Sequence, residues 1–199
     1  APATRRLARA VRTGPAMTRQ RELPTVAIVG AGIVGARVAR ELLGPDASGR
    51  PSVERVILLT RRRERRERLS AAFGREVEVK LCGDDVEVPE GIDVVVIARE
   101  TGEHCQIARE QIEGSRHVVS TGDDPDEIRE MAGLDAPARE RGASLVLGTA
   151  MSPGLTCLLS AHAATRLDRV DEIHVSRHGV AGPACAHRGA APTPGTSCT

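Results

Sequence analysis

Val26-Ala27-Ile28-Val29-Gly30-Ala31-Gly32-Ile33-Val34-Gly35 runs from a short apolar segment straight into G-x-G-x-x-G, and a helical pattern follows at once. In the context strand–turn–helix, each glycine has a physical task. Gly30 permits the tight turn out of the strand, Gly32 lets a pyrophosphate approach the backbone, and Gly35 lets the helix pack close to the sheet. The N–H groups of Ile33, Val34 and Gly35 then open a helix, where the backbone dipoles favour an anion. The stretch is therefore expected to hold a dinucleotide; the alternative is a glycine-rich turn without a ligand.

Outward from this turn the chain alternates. Strands are expected at about 25–30, 55–60, 76–81, 93–98, 116–120 and 143–148, and helices at about 33–43, 62–73, 103–113, 125–141 and 153–166. Asp93-Val94-Val95-Val96-Ile97-Ala98 shows no alternation after its first residue, as strands covered on both faces do. Gly44-Pro45, Gly74 and Gly114 stop helices; Asp124-Pro125 starts one; Gly133 or Pro137 is expected to break it. Strand–helix alternation predicts an α/β, Rossmann-type doubly wound parallel sheet with strand order 3-2-1-4-5-6. Val170–Ser176 reads as one more strand, the first of a second, substrate-binding domain. The expected division is a disordered basic leader over 1–23, a dinucleotide-binding domain over 24–168, and an incomplete substrate domain with a disordered tail over 169–199. Met17 is an alternative natural start.

Composition excludes several classes. Net charge is +1, so no global field draws nucleic acid or an anionic membrane. No apolar run approaches the ~20 residues of a membrane helix. Phe73 is the sole aromatic residue, which removes the stacking platforms of single-strand nucleic-acid binders. Of 28 basic residues only Lys80 is lysine, and tyrosine is absent, so a Tyr/Lys dehydrogenase pair is ruled out. The five cysteines are scattered without C-x-x-C, which favours free thiols in a reducing cytoplasm and argues against zinc. A leader with no apolar segment argues against secretion.

The second strand ends in Thr60-Arg61-Arg62-Arg63, where an NAD site would carry a carboxylate for the ribose hydroxyls. A guanidinium pairs in two-pronged geometry with a 2′-phosphate, so NADP is preferred, with Arg61 and Arg62 as its partners and Thr60 as a hydroxyl donor. The competing reading is a solvated Arg–Glu helix face. Gly83-Asp84-Asp85 follows the third strand, where Asp84 borders the adenine or forms a polar turn. Ala98 follows the fourth strand beside the switch point of the sheet, with Arg99 and Glu100 either near the cofactor or forming an exposed pair. Ser120 and Thr121 end the fifth strand on the same edge, towards the nicotinamide.

Together Val26–Gly35, Asp93–Ala98 with Gly102 and His104, His117–Thr121, and above all Gly148-Thr149-Ala150-Met151-Ser152-Pro153-Gly154-Leu155 resemble the saccharopine dehydrogenase-like NADP-binding family. The last segment looks like that family's Gly-x-x-x-x-Pro-Gly-Leu turn. The resemblance implies hydride exchange between NADP(H) and a small amino-acid-derived imine or amine, with Ser152–Gly154 edging the pocket. Ser152 is alternatively a plain helix cap, with Pro153 at the first helical position. Family members continue into a substrate domain, whereas here the pattern fails after Cys185, so no catalytic residue is assigned. The alternative function is a non-catalytic NADP(H)-binding module. An unpaired strand at Val170–Ser176 would invite a partner, a second copy of the chain among them.

Overall fold

The computed structural model describes residues 23–176. Most of the basic leader and the stretch from 177 onward, with Cys185 in it, lie outside the described residues.

The element order is β1 (Thr25–Val29), α1 (Ile33–Leu43), β2 (Arg55–Thr60), α2 (Arg63–Phe73), β3 (Val77–Leu81), β4 (Val94–Ile97), α3 (His104–Glu113), β5 (His117–Ser120), α4 (Pro125–Ala132), α5 (Asp135–Glu140), β6 (Leu145–Val146) and α6 (Leu155–Ala164). The six strands form one sheet in the order β3-β2-β1-β4-β5-β6, with every pair parallel. This is the Rossmann-type arrangement expected from the alternation.

Side chains alternate across the central strands, and both faces are covered. On one face Val26, Ile28, Val56, Leu58, Val77 and Val96 pack with Ala39 of α1 and Phe73 of α2. On the other, Ala27, Val29, Ile57, Leu59, Val95 and Ile97 pack with Ile107, Ala108 and Ile112 of α3 and Met131 of α4. Each fully buried Val, Leu or Ile contributes about 1.5–3 kcal/mol from leaving water. The apolar runs read from the sequence are thus continuous because neither face of the central strands meets solvent.

Three local features agree with their sequence signals. Asp124 caps α4, its carboxylate accepting the backbone N–H groups of Asp126 and Glu127, each at 3.0 Å. The helical stretch after Pro125 breaks at Gly133 and resumes at Asp135. Pro137 then falls in the first turn of α5, where its missing N–H has no intrahelical partner to lose.

Other expectations need correcting. The last strand shrinks to Leu145–Val146, because among the described residues this edge strand pairs only with β5, and Gly148, at φ +68°, turns the chain away. Val170–Ser176 forms no strand. Strand geometry needs a neighbour for its N–H and C=O groups, and among the described residues no sheet edge lies alongside it. Helix α6 begins at Leu155 rather than 153, with Gly154, not Ser152, as its N-cap. Gly154 is required there: its φ is +148°, and a Cβ would lie 2.1 Å from the Ala150 carbonyl oxygen.

Candidate functional site

The parallel topology sends β1 and β4 side by side, while the connections that follow them leave towards opposite faces. A crevice opens where they part, at the carboxyl ends of the strands. The first turn builds one wall. Gly30 has φ +111°, donates its N–H to the Leu59 carbonyl at 3.1 Å, and sits so close to β4 that a Cβ would lie 2.3 Å from the Ala98 carbonyl oxygen. Ala98 in turn donates its N–H to the Val29 carbonyl at 2.8 Å. Gly35 is equally constrained, since a Cβ would come 1.8 Å from the Gly30 carbonyl oxygen.

Gly32 differs in kind. A Cβ there would meet no atom of the described residues within 4 Å, so no contact among them demands glycine at this position. It is the N-cap of α1 and offers no side-chain cap to the first turn. The amides of Ile33, Val34 and Gly35 are the ones that lack intrahelical partners in any helix. The side chains of Ile33 and Val34 are exposed around them. Free donors, open space and the positive end of a helix dipole meet at one point. This fits the pyrophosphate of a dinucleotide on structural grounds, with the backbone amides of 33–35 as the residues that would hold it.

At the tip of β2, Thr60 is buried and its hydroxyl oxygen accepts the Arg62 N–H at 3.3 Å. Arg61 turns across the sheet edge. Its Nη1 lies 3.3 Å from Asp84 Oδ1 and 3.4 Å from Glu103 Oε1. The sequence brought Arg61 and Asp84 to the same edge, and the structure joins them directly. Arg62, the N-cap of α2, is exposed and makes no side-chain ion pair among the described residues. Cys82 donates its backbone N–H to the Thr60 carbonyl at 3.0 Å. Burial pushes its thiol pKa up, and the nearby Arg99 and Arg61 charges offset part of that rise.

Arg99 and Glu100 do not form an exposed pair. The Arg99 side chain is only 5 % exposed, and its Nε lies 2.5 Å from Glu103 Oε2. Its Nη1 and Nη2 are buried without a hydrogen-bond partner. With Arg61, Asp84, Val86, Glu103 and Ile107 it lines a cavity of about 290 Å³.

Ser120 is fully buried, and its hydroxyl is engaged by the His104 ring. His104 Nε2 lies 3.0 Å from the Arg99 carbonyl oxygen and Nδ1 lies 2.8 Å from Ser120 Oγ. A carbonyl only accepts, so Nε2 carries the proton; in the neutral ring Nδ1 accepts from the Ser120 hydroxyl. Gly122 donates its N–H to the same Ser120 oxygen at 3.2 Å. Thr121 donates its hydroxyl to the Ile97 carbonyl and Thr149 donates its own to the Ser120 carbonyl, tying the β5 tip to β4 and to the Gly148–Gly154 turn. The β4 and β5 tips are thus locked to each other from beneath the crevice.

His104, Glu103 and Glu127 form a supporting set that sequence reasoning did not single out for this role. Asp124-x-x-Glu127 carried a signal, since it has the spacing of a capping box. Only Asp124 caps its own helix. The Glu127 carboxylate instead accepts the N–H groups of His104, at 2.7 Å, and of Gly102, at 3.1 Å, at the start of α3.

Residues 25–121 match the GFO/IDH/MocA family model, described as an oxidoreductase family with an NAD-binding Rossmann fold. Over these residues the chain is similar to that family's NAD-binding Rossmann domain. No curated protein sequence matches the chain. Among solved structures it is similar to a biliverdin reductase from Synechocystis in complex with biliverdin and NADP+, at 24% identity and a TM-score of 0.51, covering 71% of this chain and 41% of that one. It is also similar to a myo-inositol dehydrogenase from Corynebacterium glutamicum, at 20% identity and a TM-score of 0.50, covering 72% and 41%. A third is GenD2 from gentamicin A biosynthesis in complex with NAD, at 26% identity and a TM-score of 0.49, covering 67% and 36%. The chain thus spans about two fifths of the length of these proteins. The match is to the GFO/IDH/MocA model and gives the saccharopine dehydrogenase-like resemblance no support.

Proposed function

We propose that residues 24–168 form the cofactor-holding part of an NADP-dependent oxidoreductase, and that residues from 169 onward lead towards a substrate-binding part. The observation that carries this reading is the open backbone at Gly32 beside three helix-opening amides. When bound, the nicotinamide supplies or receives the hydride. The chain's part is to fix the cofactor: amides 33–35 hold the pyrophosphate, and Ile33 and Val34 shield it from water. Thr60 sets the turn that presents Arg61 and Arg62. Asp84 borders the adenosine, and Ala98 closes the gap behind Gly30.

The preference for NADP rests on charge. The tip of β2 carries Arg61 and Arg62 and no carboxylate of its own, so a 2′-phosphate finds guanidinium groups where an NAD site would carry an acid. Arg62 has no ion pair among the described residues to surrender, and Arg61 is held by carboxylates at the long separations of 3.3 and 3.4 Å. Ser120 serves from below by holding His104, so its contribution is to the shape of the β4–β5 edge. The hydride acceptor is a small polar carbonyl or imine brought against the Gly148–Gly154 turn, which Thr149 anchors to β5.

Protein fluorescence is minimal without Trp or Tyr, so NADPH emission can be titrated directly. Saturable binding that favours NADPH over NADH, and loses that preference in an Arg61→Ala/Arg62→Ala double variant, is the expected result. Equal affinity for the two cofactors would overturn the NADP assignment.

A further inference from the structure

Arg99 is the least satisfied charged group among the described residues. Two of its three guanidinium nitrogens are buried without a hydrogen-bond partner, and the third is held by Glu103. A buried cationic donor left unpaired costs more than a neutral one, so its retention calls for a physical reason. Glu103 offers one oxygen to Arg99 and the other to Arg61. Three side chains from two separate turns, one after β2 and one after β4, therefore form a chain Arg61–Glu103–Arg99 along one cavity. Its outer end is open to solvent, with Arg61 and Glu103 40 % and 36 % exposed, and its inner end is buried.

We propose that this chain is the closed form of a two-arginine receptor for the 2′-phosphate of NADP, with Glu103 as the internal anion that the phosphate displaces. The inference rests on the dinucleotide reading above and assigns Arg99 and Glu103 to it. A dianionic phosphate presents more acceptor oxygens than a carboxylate. It takes Arg61 at the mouth, and Glu103 swings away to uncover the Nη groups of Arg99, which gain the acceptors they lack. Asp84, Asp85 and Glu110 line the same cavity and oppose any anion there. The site therefore discriminates: a ligand without the 2′-phosphate gains nothing from opening the Arg61–Glu103 pair, and one with it gains two guanidinium partners. His104 supports this by holding the Arg99 carbonyl, which fixes the backbone from which the buried side chain projects.

The test uses the full chain with 2′,5′-ADP and 5′-AMP, followed by thermal shift and calorimetric titration, with NADH as a separate check on the dinucleotide reading. Arg99→Lys keeps the charge and removes the fork. It is expected to weaken 2′,5′-ADP binding roughly tenfold or more while leaving 5′-AMP binding unchanged. Glu103→Gln removes the competing charge at nearly constant shape, and is expected to tighten 2′,5′-ADP binding several-fold relative to 5′-AMP. Unchanged 2′,5′-ADP affinity in Arg99→Lys overturns the proposal. Should that variant fail to fold, Glu103→Gln decides alone, and unchanged or weaker 2′,5′-ADP binding overturns it. If NADH binds but 2′,5′-ADP gains nothing over 5′-AMP, this inference fails and the dinucleotide reading stands. If none of the nucleotides binds, that reading itself fails.

Discussion

The Glu127 carboxylate of α4 accepts the backbone N–H of His104, the first residue of α3, at 2.7 Å. One helix is thereby capped by a side chain from another, and the same carboxylate takes the Gly102 N–H. Glu127 and His104 are buried, so the His104 N–H has no water to turn to if the carboxylate is removed. Glu127→Ala is expected to destabilise the domain by about 2–3 kcal/mol, and Glu127→Gln by less, because the amide oxygen still accepts. Urea denaturation of the two variants checks the order.

The three glycines of the first turn separate stability from binding. Gly35→Ala drives a methyl to within 1.8 Å of the Gly30 carbonyl oxygen, so it should destabilise the domain strongly, by more than about 2 kcal/mol, and lose NADPH with it. Gly32 has φ −72° and open space, so Gly32→Ala should fold within about 0.5 kcal/mol of the parent. Its added methyl points into the space assigned to the pyrophosphate, and NADPH affinity should fall at least about tenfold. Thermal melting and NADPH fluorescence, read on the same samples, compare the two.

The His104 ring is fully buried with both nitrogens engaged. His104→Ala leaves a cavity and strands the Ser120 hydroxyl, so a loss of about 2–4 kcal/mol is expected. Ser120→Ala removes one hydrogen bond and should cost about 1 kcal/mol. A double-mutant cycle by chemical denaturation should show the two effects to be less than additive, because they share the same contact.

The glycine turn and the parallel sheet were legible in the sequence for one physical reason: both are written locally. Gly35 is demanded by the Gly30 carbonyl of its own turn and Gly30 by the backbone that follows β4, and Val94–Ile97 is apolar throughout because both faces are covered. The burial of Arg99 was not legible, because it depends on Glu103 and on the Asp84–Val86 loop reaching it in space. Glu127 carried the spacing of a local cap and served a distant helix. The family resemblance leaned on the Gly148–Leu155 segment, whose glycine is fixed by a steric need: at Gly154 any side chain would collide with the Ala150 carbonyl. Such a turn recurs wherever the backbone needs it, so it is a weak guide to chemistry. The expected strand at Val170–Ser176 had the right residues and no partner edge among the described residues.

Alkaline pH gives an independent check on burial. Burial first, and then the Glu130 carboxylate, push the Cys105 thiol pKa up; burial does the same to Cys82. A thiol whose folded pKa is raised keeps its proton in the folded state longer than in the unfolded chain. The unfolded state then binds fewer protons, and stability falls as pH rises past the ordinary thiol range near about 8.5. The loss levels off above the folded pKa. Tyrosine is absent and Lys80 is the only lysine, so few other groups titrate in this window. Urea midpoints at about pH 7 and about pH 9.5 should differ less in Cys105→Ala than in the parent.

The central claim is that a dinucleotide rests on the amides that open α1. Amide hydrogen exchange with and without saturating NADPH reads those amides one by one. Slowed exchange is expected to concentrate at Ile33, Val34 and Gly35, with a second protected patch at Arg61 and Arg62. Unchanged exchange across Gly30–Gly35 in the presence of the cofactor would contradict it.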